Sequence, residues 1–232
     1  MEKNILLIGG STGIGLEIAK KLHKEHNIYI ASRSHGDIGD LEVNHLEFDV
    51  LKDDISSLDL PEKLDGLVYC PGSINLKPFK MLKPKDFEDE MQLSFFGLIK
   101  VINALMPILK ESQQASLVFF SSVAVKVGMP FHTSIAAAKG AIEGFAKSLA
   151  AEYAPSLRVN VVSPSLTDTP LAEKLLNNDK KKEKMDQRHP LKRVGTTADI
   201  ANMTAFLLSE ESSWITGQIF GVDGGLSTLN IS

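Results

Sequence analysis

Near its start the chain has a short apolar run that leads directly into a cluster of glycines. Residues 5–8 are all apolar, residues 9–15 contain four glycines, and apolar side chains then recur on one face of a helix. Glycine is needed where a backbone turns tightly or approaches a ligand closely. The free N–H groups and the dipole at the start of a helix suit a pyrophosphate. The pattern predicts a strand, a nucleotide-binding loop and a helix, although a glycine-rich turn without a ligand also fits it.

The rest of the chain alternates apolar runs with helical patterns. Further strands are predicted at residues 28–31, 46–48, 67–70, 117–120, 159–162 and 218–222, and helices at residues 84–93, 95–110, 135–154 and 197–208. Between the second and third strands, residues 32–45 leave room for a connection that is mostly loop. Strands that alternate with helices favour an α/β fold: a single-domain, Rossmann-type doubly wound parallel sheet with helices on both faces.

Composition excludes several classes of protein. A chain of 232 residues fits one domain, here residues 1–232, and a net charge of −4 gives no sign of nucleic-acid binding. Cys70 is the only cysteine, so internal disulfides and a cysteine zinc cluster are excluded, and no metal site is predicted. We expect Cys70 to be a small buried residue, not a reactive thiol.

The apolar runs also suggest a location for the protein. By inspection, no segment approaches the run of ~18 apolar residues that spans a bilayer. The first residues lack the longer apolar region and the cleavage site of a signal peptide. We therefore expect a cytoplasmic protein without membrane contact.

Short motifs occur in an order and spacing that one known family shares. They are the glycines Gly9, Gly13 and Gly15, with Ile8 where the family has threonine, then Asp49-Val50, residues 214–218 and residues 222–225. The sequence resembles a short-chain dehydrogenase/reductase of the classical subtype over essentially its whole length. The resemblance implies that a nicotinamide dinucleotide is bound by Gly9, Ser11, Thr12, Gly13, Ile14, Gly15, Asp49, Val50 and Gly72.

The end of the second predicted strand bears on the choice of cofactor. A carboxylate there would bind the ribose 2′-hydroxyl and repel a 2′-phosphate, but this chain has Ser32 and Arg33. An arginine can pair with a phosphate through two donors, and serine hydroxyls can add more. NADP(H) is therefore favoured over NAD(H). Two alternatives stay open: Arg33 as a solvated loop residue, and a weaker preference because Asp37 is near.

The resemblance implies a catalytic serine, tyrosine and lysine, assisted by an asparagine. Ser122 matches the serine, and Lys139 stands at the position expected for the lysine. The tyrosine should lie 13 residues after Ser122 and four before Lys139, where this chain has Ile135. Isoleucine cannot donate a proton, and loss of general acid catalysis typically slows a reaction ~10²–10⁴-fold. Ser122 could also be a satisfied loop hydroxyl.

Two further parts of the active-site pattern are altered. Ser94 stands at the asparagine position, and residues 69–72 read Tyr-Cys-Pro-Gly where the family has Asn-Asn-Ala-Gly. His132 is the candidate for a substitute acid, because histidine titrates near neutrality. The alternative is a polar loop residue ahead of a helix that Ser134 caps.

The segment after the sixth predicted strand resembles another cofactor-binding loop. Pro164, Thr167 and Thr169 match positions near the nicotinamide, with Ser165 replacing a glycine. Residues at about 170–195 correspond to the family's variable substrate lid. This lid contains a lysine-rich run over residues 180–184, which suggests a solvated face, with a lid for anionic substrates as the alternative.

Two functions from different classes fit these observations. The first is an NADP(H)-dependent oxidoreductase that moves hydride to or from a small carbonyl, alcohol or imine substrate with an altered proton donor. The second is an inactive dinucleotide-binding protein that acts as a sensor or an oligomeric scaffold. The resemblance also implies a homotetramer, or failing that a dimer, built through the helices at residues 95–110 and 135–154.

Overall fold

Seven parallel strands form one sheet in the computed structural model, which describes residues 2–230. The order across the sheet is β3-β2-β1-β4-β5-β6-β7, so the direction of winding reverses between β1 and β4. The strands are β1 (Asn4–Ile8), β2 (Asn27–Ser32), β3 (Asn44–Glu47), β4 (Gly66–Tyr69), β5 (Ala115–Phe120), β6 (Leu157–Pro164) and β7 (Ile219–Val222). In α/β sheets, ligands bind outside the carboxyl ends of the strands at such a switch point.

Helices cover both faces of the sheet. They are α1 (Gly13–Leu22), α2 (Pro84–Met91), α3 (Gly97–Lys110), α4 (Val123–Lys126), α5 (Thr133–Tyr153), α6 (Glu173–Leu176), α7 (Asp179–Asp186) and α8 (Thr197–Leu208). Alternate residues of β1 enter different cores: Leu6 and Ile8 join α3 and α5, whereas Ile5 and Leu7 join α1 and α8. Side chains that alternate along a fully buried strand fill two layers. The predicted fold class is confirmed.

The predicted helices at residues 84–93 and 95–110 are joined without a break. A π-helical turn, Gln92–Phe96, connects α2 to α3. The hydroxyl of Tyr69 donates a hydrogen bond of 2.6 Å to the carbonyl of Leu93 within this turn. A Cβ added at Gly97 would lie 2.5 Å from the Tyr69 hydroxyl oxygen, so the small residue leaves room for the buried phenol. The sequence pattern did not predict this junction.

The joined helix also corrects the expectation about long apolar segments. Within the described residues, the stretch Pro84–Lys110 has the length and hydropathy of a membrane span. Core helices pass the same test, and here Leu98, Val101 and Leu105 are buried against the sheet. The apolar face of α3 therefore serves the protein core.

The connection between β2 and β3 contains turns and bends but no helix, as the sequence predicted. Ile38 buries its side chain in the core beside α1, and Gly36 takes a positive φ of 56°. A Cβ added at Gly36 would lie 2.6 Å from the carbonyl oxygen of Ser11, while the N–H of Asp37 donates to that oxygen at 2.9 Å. The connection therefore packs directly against the glycine loop.

Candidate functional site

The glycine loop joins β1 to α1 at the switch point of the sheet. Gly9 and Gly13 have φ values of +78° and +56°, which glycine adopts without strain. A Cβ added at Gly15 would lie 2.7 Å from the carbonyl oxygen of Gly9 and 2.8 Å from the Cα of Gly10. The Thr12 side chain makes no capping hydrogen bond to α1. The loop therefore folds tightly beneath an open helix N-terminus, a cradle that fits a pyrophosphate.

Ser32 and Arg33 lie at the carboxyl end of β2. The Ser32 hydroxyl is buried, donates to the carbonyl of Ser34 at 2.9 Å and lies 3.0 Å from Nε2 of His45. Arg33 is exposed and ion-pairs with no carboxylate within 4 Å in the described part of the chain. The structure therefore leaves the Arg33 guanidinium available to a ligand phosphate.

Asp49 and Val50 follow β3, at the same carboxyl edge of the sheet as Ser32 and Arg33. A carboxylate oxygen of Asp49 accepts a hydrogen bond of 3.0 Å from the N–H of Leu51, and this bond is the main reason that the pKa of Asp49 is lowered. Weaker contributions come from Lys52 and from the charge of Arg33. Val50 is buried, and its side chain lies beside Gly97, the first residue after the π-helical turn. Both residues thus lie at the carboxyl edge of the sheet, directly after β3.

A cavity of about 220 Å³ opens beyond the glycine loop at the ends of β4, β5 and β6. It brings together eleven residues singled out in the sequence: Ile14, Cys70, Gly72, Ser122, His132, Ile135, Lys139, Pro164, Ser165, Thr167 and Thr169. The remaining wall is largely apolar, with Ile74, Leu76, Phe120, Leu166, Leu171 and Leu175. Polar groups that converge in an apolar cavity are typical of a small-molecule site.

Ser122 lies where β5 ends. Its hydroxyl oxygen accepts a hydrogen bond of 3.2 Å from the N–H of Ala124 and so caps α4. The neighbouring Ser121 donates to a carboxylate oxygen of Glu143 at 2.6 Å, which ties the end of β5 to α5. The Ser122 hydroxyl retains its proton for a hydrogen bond to a group in the cavity.

Ile135 lies in the first turn of α5, is only 6% exposed and forms part of the cavity wall. His132 lines the same cavity from the residue before the helix. Its Nδ1 lies 2.7 Å from the carbonyl oxygen of Pro130. A carbonyl only accepts, so Nδ1 carries the proton, and Nε2 is the atom left to exchange a proton in the cavity.

The expectation that Ser134 caps α5 is wrong. The helix begins at Thr133, two residues before the predicted start at residue 135, and His132 stands in the capping position without a side-chain capping bond. Ser134 is buried inside the first turn, and its hydroxyl has no partner among the described residues. The preceding Phe131 holds a left-handed φ of 71°, a conformation that costs a side-chain-bearing residue about 1–2 kcal/mol.

Lys139 lies on α5, one turn after Ile135, and is 7% exposed. A Cβ added at Gly72 would lie 3.3 Å from its Nζ, so the ammonium fills the space beside this glycine. Burial lowers the pKa of Lys139 to about 8, and the negative charge of Glu90 opposes this shift. An ammonium with a pKa near neutrality can both bind hydroxyl groups and exchange protons.

Cys70 and Tyr69 occupy positions where the resemblance implies asparagines. Burial raises the pKa of the Cys70 thiol to about 12, so it stays protonated at neutral pH, consistent with an inert residue. Burial also raises the pKa of Tyr69, whose hydroxyl is committed to the Leu93 carbonyl. Neither residue replaces the missing tyrosine as a proton donor.

The lid segment contains short helices. The Thr169 hydroxyl accepts from the N–H of Ala172 at 3.3 Å and so caps a 3₁₀ turn over Pro170–Ala172. The lysine-rich helix α7 has no buried residue, which agrees with a solvated face. One of its lysines, Lys182, pairs with Asp168 at 3.3 Å. Leu171, Ala172 and Leu175 line the cavity from this segment.

Sequence reasoning missed two residues of the site, Ser73 and Glu90. Ser73 lines the cavity next to Gly72, and its hydroxyl donates to a carboxylate oxygen of Glu90. Ser94 donates to the other carboxylate oxygen at 2.9 Å. The available signal was the spacing of Glu90 and Ser94, four residues apart and hence on one face of a helix.

No group of three or more histidine, cysteine, aspartate or glutamate side chains is placed to hold a metal ion within residues 2–230. Lys139 brings a positive charge to the cavity wall, and the negative charge of Glu90 lies behind it, outside the cavity lining. Among the described residues, the cavity therefore has one buried cation, the Lys139 ammonium.

Comparison with known proteins identifies relatives along the whole chain. A family model described as enoyl-(acyl carrier protein) reductase matches residues 9–227. A tropinone reductase homolog from Datura stramonium is 32% identical over an alignment of 241 positions. The match covers 95% of this chain and 90% of the relative. A 3-oxoacyl-[acyl-carrier-protein] reductase from Chlamydia muridarum is 31% identical over 246 residues and 98% of each protein.

Solved structures share the fold. The aldohexose dehydrogenase of Thermoplasma acidophilum, in ligand-free form, is 28% identical with a TM-score of 0.89, covering 100% of this chain and 96% of that one. ElxO, a structure with NADP bound, has a TM-score of 0.88 at 24% identity, covering 99% of this chain and 100% of that one. At that identity the likeness to ElxO establishes the fold alone.

Proposed function

The chain belongs to the short-chain dehydrogenase/reductase family, and we propose that it is an NADP(H)-dependent oxidoreductase with an altered proton donor. Its substrate is a small carbonyl, alcohol or imine. The observation that carries the proposal is the cavity beside the glycine loop, where Ser122, His132 and Lys139 converge around Ile135. A protein that only bound a dinucleotide would have less need of this polar group beyond the cofactor loop.

The residues present fit the cofactor. The Gly9–Gly15 cradle and the open start of α1 would hold the pyrophosphate, and Lys139 the nicotinamide ribose. Arg33 would bind the 2′-phosphate next to Ser32, whose own hydroxyl proton is committed to the Ser34 carbonyl. The Lys139 ammonium donates to no protein atom within the described residues, so its donors are available to ribose hydroxyls. When bound, NADPH supplies the hydride.

The chain's own groups would then handle the oxygen and the proton. The Ser122 hydroxyl donates a hydrogen bond to a substrate oxygen and polarises the carbonyl. As the acid, His132 donates a proton from Nε2, because its Nδ1–H is held by the carbonyl of Pro130. The apolar wall around Ile135 keeps water away from the reacting groups. An iminium substrate needs no proton from the protein, since it already carries one.

The alternative of a dinucleotide-binding protein without turnover has one observation in its favour. The Ile135 side chain occupies the position of the usual acid and closes that part of the cavity with an apolar surface. A sensor or scaffold would bind NADPH with the same loop but would leave aldehydes, ketones and imines unreduced.

We expect NADPH to bind more tightly than NADH and to be oxidised in the presence of an aldehyde, a ketone or a cyclic imine. Calorimetric titration measures the two affinities, and loss of absorbance at 340 nm measures turnover (the standard nicotinamide wavelength). Arg33→Ala should lower NADPH affinity about 10-fold or more by removing a charge-assisted contact, while leaving NADH affinity unchanged.

Arg188→Ala is the matched control for this substitution, since it removes an exposed arginine from the far end of the lid. Equal affinities of the unaltered protein for the two cofactors would contradict the proposed preference. Tight NADPH binding without oxidation across the substrate panel would favour the sensor or scaffold.

We also expect the protein to be a homotetramer, or failing that a dimer. The small residues Ala137, Gly140 and Gly144 lie at least partly exposed on α5, and a Cβ added at Gly144 would meet nothing within 4 Å. Such a surface permits close approach of a helix from a second subunit. Multi-angle light scattering at micromolar concentration tests the expectation, and a monomer mass would refute it.

A further inference from the structure

Helix α2 buries one residue, and that residue is a glutamate. Glu90 is 3% exposed, whereas the other residues of α2 are half-buried or exposed. A buried carboxylate is costly unless hydrogen bonds and a nearby positive charge compensate it. The Glu90 carboxylate at the one buried position of α2 therefore needs hydrogen-bond donors and a positive charge nearby.

Two serine hydroxyls hold the Glu90 carboxylate. Ser73 donates to one oxygen and Ser94, itself fully buried, donates to the other at 2.9 Å. Ser94 stands where the resemblance implies an asparagine, and Ser73 directly follows the altered segment of residues 69–72. One departure from the family pattern, Ser94, thus binds the same carboxylate as Ser73.

The positive charge that faces this carboxylate is Lys139. Helix α2 packs against α5, which carries Lys139, and the Gly72–Ser73 segment contacts both groups. The other titratable groups nearby are Cys70, His132 and Glu143; the Cys70 thiol is protonated, and Glu143 is bound to Ser121. Glu90 is therefore the buried carboxylate on the helix that packs against α5, separated from Lys139 by the Gly72–Ser73 segment, and its charge raises the pKa of Lys139.

We propose that Glu90 is a positioning residue that, fixed by Ser73 and Ser94, keeps Lys139 in its charged form beside the cavity. The proposal rests on the function proposed above, in which Lys139 holds the ribose and stabilises charge that develops on the substrate oxygen. Burial alone would favour the neutral amine, which could still bind a hydroxyl but could not stabilise that charge. Glu90 offsets burial without entering the cavity, whose lining does not include it.

The test is a pH titration of Lys139, followed by NMR in the ligand-free protein labelled with ¹³C-lysine. The Lys139 signal is assigned as the one that disappears in Lys139→Arg. In Glu90→Gln, which keeps the shape but removes the charge, we expect the titration midpoint of Lys139 to fall by about one pH unit. Glu88→Gln removes an exposed charge from the same helix and should leave the midpoint unchanged. Glu90→Asp retains the charge and should restore part of the shift.

An unmoved Lys139 midpoint in folded Glu90→Gln would overturn the proposal. If that variant does not fold, the unaltered protein labelled with ¹³C-glutamate provides the test. The chemical shift of the Glu90 carboxyl carbon should change at the pH where Lys139 titrates. A chemical shift that does not change at this pH would refute the coupling. Neither measurement uses NADPH or turnover. Failure of the proposed enzymatic function would be seen separately, as absent substrate reduction with the Lys139 shift intact.

Discussion

Replacing Ile135 with tyrosine is expected to raise the rate of ketone or aldehyde reduction by up to about 10²-fold, within the range typical of general acid catalysis. Ile135 lies in the cavity wall with Ser122 and Lys139, so a phenol there adds a proton donor to an existing polar group. The Lys139 ammonium would favour the ionised phenolate and so lower the pKa of the new tyrosine. The measurement is kcat/KM with NADPH and a small ketone.

Ile135→Phe is the matched control, because it adds the ring without the hydroxyl. We expect it to leave the rate at or below that of the unaltered protein. Equal rates for the tyrosine and phenylalanine variants would show that shape, and not proton donation, limits the reaction. The gain can fall short of 10²-fold, because Ser94 and Tyr69 do not reproduce the polar groups that accompany the family's tyrosine.

His132→Ala in the same assay separates the remaining sources of the proton. If His132 is the acid, reduction by the unaltered protein should fall, whereas the Ile135→Tyr variant should tolerate the loss of the histidine. A rate unchanged by His132→Ala in the otherwise unaltered protein would exclude His132 as the acid. Nε2 is the only His132 nitrogen free of Pro130, so the substitution removes a single possible donor.

The sequence predicted the elements that local patterning determines. Short apolar runs placed the strands to within one or two residues, because buried parallel strands carry few polar side chains. Parallel strands end at one edge of the sheet, so loop residues far apart in sequence, such as Ser122 and Thr167, come together there. The shared fold and the common cavity of Ser122, Ile135 and Lys139 follow from that geometry.

Other features depended on contacts between distant segments and were not predicted. Ser73 and Glu90 are 17 residues apart, and they meet only because α2 lies beside the loop that follows β4. The π-helical turn likewise depends on the Tyr69 hydroxyl reaching the Leu93 carbonyl, 24 residues away. The start of α5 lies one residue before the expected cap, because His132 itself ends the preceding loop.

Gly15→Ala is expected to weaken NADPH binding about 10–100-fold, because the added methyl cannot be accommodated without moving the loop. Its Cβ would lie 2.7 Å from the Gly9 carbonyl oxygen and 2.8 Å from the Gly10 Cα, which are backbone atoms that no rotamer change can displace. Overpacking of this kind typically costs ~1–3 kcal/mol. The same shift would open the cradle from which the loop's N–H groups contact a pyrophosphate. Calorimetric titration measures the loss of affinity.

Gly128→Ala provides the control, since a Cβ there meets nothing within 4 Å and its φ is not positive. It should bind NADPH as the unaltered protein does. Thermal unfolding separates the two consequences of Gly15→Ala. A drop in Tm of about 2–4 °C per kcal/mol measures the strain in the folded protein. A loss of NADPH affinity in the protein that is still folded measures the damage to the pyrophosphate cradle. Unchanged affinity in Gly15→Ala would mean that the ligand does not lie against this turn, which would remove the structural basis of dinucleotide binding.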